Sequence, residues 1–385
     1  MLCLTHLIQP LNRKEFLENN WTRKAIAILN QGEKDFTDLF SWEKLNYLLN
    51  FHQIKYPDVR LAFDGKVLEA KENENFTQWC EKGATLIIDK IHKRIPEVSI
   101  LTSKLSYELG YPTQVNAYCS WSSKKGFSTH YDTHDVFILQ VEGNKQWYVY
   151  TDTFKYPLPN QKSSSFTPPE EEAYLSCILN PGDVLYIPRG HWHYAVTKEE
   201  PSIHLTLGIH SPTGTDLLEW LIHKLQHREE WRVNLPLRVD ENSFNISIEN
   251  LIQDLKEYIN NHNISEEYNN YLDGLEKPVE QYNLPYQAGL HIFHKGVDTG
   301  FKVSQFQRLK ISKMTDDDGY KILVSGKEVS IRGVPEYLVK NLFSRERFTG
   351  KDIINLLPDY DWEIDIMPML SKLVSERVIF VESGI

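Results

Sequence analysis

Several things are scarce in this 385-residue chain, and each scarcity excludes a class of protein. Cysteine is rare: Cys3, Cys80, Cys119 and Cys177 are scattered, and no two form a CxxC pair. A disulfide framework needs closer and more numerous spacing, so a reducing compartment is expected. Basic residues do not dominate. The 42 Lys+Arg stand against 53 Asp+Glu for a net charge of −11, which excludes a globally basic nucleic-acid surface and mildly favours basic partners. No run approaches the roughly 18 apolar residues of a membrane helix. The opening MLCLTHLIQPLNRKEF breaks its apolar stretch at His6, Gln9 and Pro10, without the basic-then-apolar order of a secretion signal. There is no internal repeat and no low-complexity tract. A soluble, cytoplasmic protein is expected.

What is present is material for a large core: 41% hydrophobic and 12% aromatic residues, over a length suited to two or three domains. Residues 1–212 alternate β-rich runs with turn residues: AIAI, TLIID, DVFILQV, QWYVY, DVLYIP and SIHLTLGI. Short strands separated by turns predict a sandwich or barrel. Pro157 to Glu172 reads as a long surface loop of the kind that frames a site. Residues 213–285 change period. Leu217, Leu218, Trp220, Leu221 and Leu225 mark one helical face, and Leu251, Leu255, Tyr258 and Ile259 another, which predicts a packed lid or a dimer interface. Residues 286–385 mix KILVSGKEVSI (strand, turn, strand) with the short helices EYLVKNLF and KDIINLL, then a helix running into a strand in MPMLSKLVSERVIFVE. That order is like a winged helix. Its 14 basic and 14 acidic residues disfavour a DNA reader.

The chemistry concentrates between Asn116 and Tyr150. His130 and Asp132 stand two apart at the head of a strand-like run, so imidazole and carboxylate converge on one point. A further histidine follows in PGDVLYIPRGHWHYAV. Two histidines and one carboxylate with open coordination positions form the facial triad of non-haem Fe(II) oxygenases. Spacing alone divides the last ligand evenly between His191 and His193, and His134 competes by continuing the His130/Asp132 face. Trp147, Tyr148 and Tyr150 read as barrel core.

The stretch HYDTHDVFILQVEGNKQW, with NAY before it and GDVLYIPRGHWH and SIHLTLG after it, resembles the JmjC-type cupin hydroxylases called ribosomal oxygenases. FLENNWTRKAIAI and the order of domains extend the resemblance over nearly the whole chain. It implies an α+β multi-domain protein: a double-stranded β-helix (JmjC/cupin jelly roll) over 1–212, a helical dimerisation region over 213–285 and a C-terminal winged helix over 286–385. The family's motif puts the metal on His130, Asp132 and His193. It also assigns Lys145 to the far carboxylate of 2-oxoglutarate, with Thr206, Asn116 and His204 beside the co-substrate.

The implied reaction is Fe(II)- and 2-oxoglutarate-dependent hydroxylation by O₂ at a β-carbon of a polypeptide residue, a ribosomal protein being the expected substrate. Tailoring of a small ribosomally made peptide is the alternative, and N-methyl-lysine demethylation or a non-enzymatic cupin binding module are rivals. Tyr131, Thr133 and His134 are expected to line the substrate route. A homodimer is expected, with neither membrane nor direct nucleic-acid binding.

Overall fold

In the computed structural model, residues 3–121, 127–198, 200–275, 282–303, 306, 308–315, 319–324 and 327–382 are described. The chain forms two units, Met1–Ser211 and Pro212–Ile385.

Alternation along the strands decides how the first unit is built. Its strands are β1 (Ile26–Ile28), β2 (Val59–Phe63), β3 (Lys66–Val67), β4 (Thr85–Ile88), β5 (Thr113–Ser120), β6 (Asp135–Glu142), β7 (Lys145–Asp152), β8 (Leu175–Leu179), β9 (Val184–Ile187), β10 (His191–Thr197) and β11 (Ser202–Ile209). Eight of them form an antiparallel sheet in the order β1-β9-β6-β11-β5-β4-β2-β3, and β10-β7-β8 form a smaller one. One face of the large sheet is apolar: Val115, Ala117 and Cys119 of β5, Phe137, Leu139 and Val141 of β6, and Ile203, Leu205 and Leu207 of β11. It packs on the N-terminal helices α1 (Leu4–Ile8), α2 (Arg13–Asn19), α3 (Trp42–Phe51) and α5 (Pro96–Leu109), through Leu7, Phe16, Leu48 and Leu105 among others. The remaining helix of the unit is α4 (Phe76–Glu81). Each such fully buried side chain contributes roughly 1.5–3 kcal/mol. The opposite face sends Val136, Ile138, Leu185 and Ile187 against Trp147, Val149 and Leu179 of the small sheet. Two antiparallel sheets packed face to face make the expected cupin sandwich.

The runs read as strands appear as β1, β4, β6, β7, β9 and β11. Strands β2, β3, β5, β8 and β10 and the helices α3 and α5 were not among them. The Gly143–Asn144 turn carries the chain from the large sheet to the small one rather than closing a hairpin, since β6 and β7 pair with other strands. Gly143 sits at φ +62, and a Cβ there would lie 2.1 Å from the Pro201 carbonyl oxygen, so only glycine fits this corner.

In the second unit α6 (Gly214–Leu225) starts from a capping box between Thr213 and Asp216. With α7 (Glu241–Asn261) and α8 (Ile264–Gly274) it buries Trp220, Leu221, Leu225 and Tyr258. Leu218, expected on the buried face, is exposed, as is Ile222 one turn on. The remainder holds β12 (Gly300–Val303), β13 (Leu309–Lys313), β14 (Gly319–Val324), β15 (Lys327–Arg332), α9 (Glu336–Ser344), β16 (Arg347–Thr349), α10 (Gly350–Leu356), α11 (Met367–Ser375) and β17 (Ile379–Val381). Its sheets are β16-β12-β17 and β13-β14-β15. The runs expected as strands and helices here are β14, β15, α9, α10, α11 and β17; the turn at 325–326 lies outside the described residues. No described helix is long and apolar enough to cross a membrane.

Candidate metal centre

The segment before β6 is zipped onto β10 at the two histidines that matter. The His130 N–H donates to the His193 carbonyl (3.1 Å), and the His193 N–H donates to the His130 carbonyl (2.7 Å). One step on, the Gly190 N–H donates to the Asp132 carbonyl at 2.9 Å. This pairing sets the two imidazole centroids 4.5 Å apart and brings His193 Nε2 within 3.6 Å of Asp132 Oδ2. One ligand atom from each of His130, Asp132 and His193 lies within 4.8 Å of the others.

Backbone carbonyls fix which nitrogen each ring offers. His130 Nδ1 lies 2.8 Å from the Ser128 carbonyl, and His193 Nδ1 3.0 Å from the His191 carbonyl. A carbonyl only accepts, so both Nδ1 atoms carry the proton and both Nε2 lone pairs are free to ligate. Burial, then His130, push the His193 imidazole down to about 4, so it is neutral at physiological pH. Burial pushes the Asp132 carboxyl up, but His134, His193, His130 and His210 outweigh it and hold it below the usual carboxylate value. Two imidazoles that each present Nε2, and an ionised carboxylate, are a donor set that fits a divalent first-row cation.

The structure separates the competing histidines. A bulge between His191 and His193 breaks the shared face that their spacing suggested. His191 instead meets the Tyr174 hydroxyl through Nδ1 at 2.8 Å. His134 stacks on His210 with centroids 4.6 Å apart, over Gly208, where a Cβ would come 2.6 Å from its Nε2.

A cavity of about 240 Å³ opens from the triad, and Lys145, His204 and Thr206 are among the residues that line it. Lys145 is 6% exposed; its Nζ donates to Ser120 Oγ (2.8 Å), which lies 3.0 Å from Thr85 Oγ1. Burial pushes the Lys145 ammonium down to about 7. His204 stacks on Tyr118 at 4.9 Å and an interplanar angle of 3°. Asn116 is not among the lining residues: its Oδ1 accepts from the Lys90 N–H at 2.8 Å, and its carboxamide bonds the Tyr118 hydroxyl. It therefore stands behind the wall, next to the lining residues Tyr118 and, across the strand pair, Thr206.

Tyr131, expected on the substrate route, is not among the residues that line the cavity. It is 3% exposed, packs edge-on against Trp192 at 4.9 Å, and donates its hydroxyl to the Gln161 carbonyl at 2.8 Å, tying down the loop after β7. Thr133 and His134 are also absent from the cavity wall. Residues that the sequence did not single out include Thr85, Arg60 and Tyr118 in the cavity wall and Ser120, the acceptor of Lys145. Ser120 and Tyr118 continue the inward face of β5 from Asn116, and Arg60 is held by Asp89 (2.7 Å to Oδ1). Trp147, read as core, is a wall of the cavity.

Comparison with known proteins accords with this geometry. A model of the JmjC domain matches residues 92–217. That match covers about a third of the chain. It is 27% identical over 259 residues to a bifunctional lysine-specific demethylase and histidyl-hydroxylase NO66 from Drosophila pseudoobscura pseudoobscura, covering 62% of this chain and 27% of that protein. It is 28% identical over 251 residues to ribosomal oxygenase 1 of Rattus norvegicus, covering 60% of this chain and 41% of the relative. The chain spans well under half the length of these relatives. In fold it is similar to the Escherichia coli ribosomal oxygenase YcfD, with a TM-score of 0.62 at 20% identity over 97% of this chain and 98% of that one. The resemblance to ribosomal oxygenases drawn from the motifs, and the cupin fold it implied, are borne out.

Proposed function

We propose that the protein is an Fe(II)- and 2-oxoglutarate-dependent oxygenase that hydroxylates a β-carbon of a residue in a polypeptide, with a ribosomal protein as its substrate. The observation that carries this is the triad of His130, Asp132 and His193, with both Nδ1 atoms committed to carbonyls and both Nε2 atoms free. These three side chains would hold the metal. When bound, iron and 2-oxoglutarate supply the oxidising power: O₂ and the 2-oxo acid are consumed to succinate and CO₂, and one oxygen atom enters a C–H bond of the substrate.

The chain's own contribution is placement and shielding. Lys145 gives the far carboxylate a buried cation, which a carboxylate out of water requires. Thr206 adds a hydroxyl from the neighbouring wall, His204 a ring, and Asn116 acts by steadying Tyr118. Phe127, Ile138 and Trp147 supply the apolar part of the wall between these groups and help to exclude water. The polypeptide substrate follows from the relatives, two of which are named for a histidyl-hydroxylase and a ribosomal oxygenase. A charge of −11 suits a basic ribosomal protein.

Residues 213–285 serve as the dimerisation region in this reading, and 286–385 as a winged helix that acts as scaffold rather than DNA reader. Exposed Leu218 (57%) and Ile222 (54%) on one side of α6 support a second copy as their cover. The protein works in the cytoplasm. The test is succinate formation by the iron-loaded protein with extracted ribosomal proteins. Iron- and 2-oxoglutarate-dependent turnover, lost in His130→Ala and without formaldehyde, is the expected result. Formaldehyde release would favour demethylation instead, and ligand binding without turnover a binding module. Light scattering at micromolar concentration should give a dimer, and a monomer would remove that part of the reading.

A further inference from the structure

Two side chains in the cavity wall end in buried polar atoms with no partner among the described residues. Trp147 is 5% exposed and its indole Nε1 has no acceptor; His204 is 3% exposed and its Nδ1 is unpaired. Their rings meet edge to face at 5.4 Å, and the indole centroid lies 6.2 Å from that of His193. A buried N–H without an acceptor is costly, and native proteins rarely leave one. The wall is therefore complete only with a molecule that brings an acceptor.

The two orphans differ in what they demand. Imidazole nitrogen accepts or donates according to its tautomer, but an indole nitrogen only donates. Trp147 thus specifies an acceptor atom. It also projects from the same face of β7 as Lys145, two residues earlier, and both line the cavity that the triad opens into. A second donor beside a buried ammonium favours an anionic oxygen over water, because the ammonium needs a counter-charge and its recorded acceptor is the neutral Ser120 hydroxyl. His204 does not compete as a cation: burial, then the Lys145 charge, hold its imidazole well below the ordinary value.

We propose that Trp147 is a co-substrate-binding residue whose indole N–H donates to a carboxylate oxygen of the dicarboxylate anchored by Lys145. The inference rests on the oxygenase reading above, and it makes Trp147 part of the co-substrate's recognition rather than a packing residue.

The test is made on full-length protein labelled with ¹⁵N and loaded with Zn(II), which is diamagnetic and leaves 2-oxoglutarate intact. The chain has nine tryptophans, so the indole N–H region of the spectrum is sparse. Saturation with 2-oxoglutarate should move one indole resonance, and that resonance should be missing from Trp147→Phe. Titration calorimetry should show 2-oxoglutarate bound about tenfold more weakly by Trp147→Phe, with Zn(II) affinity unchanged. If the phenylalanine variant does not fold, Trp147→Tyr identifies the resonance instead. An indole spectrum that stays still while 2-oxoglutarate binds overturns the proposal by itself, since the indole would then meet only water. Failure of the wild type to bind 2-oxoglutarate at all would remove the oxygenase reading together with it.

Discussion

With Lys145 as the anchor proposed above, the affinity for 2-oxoglutarate should depend on pH. Burial, opposed by Cys119, brings its ammonium down to about 7 in the free protein. His204 faces it as a neutral ring, and Ser120 as a neutral hydroxyl. A dianion can pair only with the charged form, so the apparent dissociation constant is the intrinsic one divided by the charged fraction. That fraction is about one half at pH 7 and about one hundredth at pH 9, which weakens binding about 50-fold between them. The sign follows: affinity is flat below pH 7 and falls about tenfold per unit above it, with a proton taken up on binding. His193, held down to about 4, stays neutral across this range, and 2-oxoglutarate stays fully ionised. The assay is calorimetry on Zn(II)-loaded protein from pH 6.5 to 9, run in two buffers of different ionisation enthalpy to count protons. In Lys145→Arg the cation cannot lose its charge, so any remaining binding should be independent of pH. A wild-type dissociation constant that holds steady from pH 7 to 9 would refute the reasoning.

Further outcomes follow from named contacts. Gly143→Ala forces a Cβ to 2.1 Å from a backbone oxygen at φ +62, so denaturant unfolding should show a loss above about 2 kcal/mol; a loss under about 0.5 would mean the corner can relax. Tyr131→Phe removes the bond to the Gln161 carbonyl, worth about 1 kcal/mol, and hydrogen exchange over 153–166 should quicken while metal affinity is kept. Unchanged exchange there would show that the aromatic packing alone holds the loop. Asp132→Ala takes away the only anion of the triad and should weaken Mn(II) binding more than about 100-fold, beyond the effect of losing an outer partner. Wild-type Mn(II) affinity in that variant would place the metal elsewhere.

The sequence carried the site's centre because a strand-like alternation places His130 and Asp132 together whatever the fold around them. It could not decide between His191 and His193, since the bulge that turns His191 toward Tyr174 leaves no mark in residue types. Asn116 shares the inward face of β5, but the Lys90 N–H, in a left-handed turn, claims its oxygen, a contact between residues 26 apart. Trp147 is core, as aromatic strand residues usually are, but it also lines the cavity and its N–H has no acceptor among the described residues, neither of which residue type reveals. The helix α5 is legible from its ends: Pro96 stands in its first turn and Gly110 closes it at φ +76. Exposure of Leu218 depends on what packs beside α6, which a helical period alone does not tell.

The most direct test of the account is intact-mass spectrometry of ribosomal proteins from cells with and without this gene. The account predicts that one ribosomal protein loses the mass of a single oxygen atom in the deletion, and regains it when the wild type is restored but not when Asp132→Ala is. If no ribosomal protein changes mass while the purified enzyme still converts 2-oxoglutarate to succinate, the metal centre stands and the ribosomal substrate is contradicted.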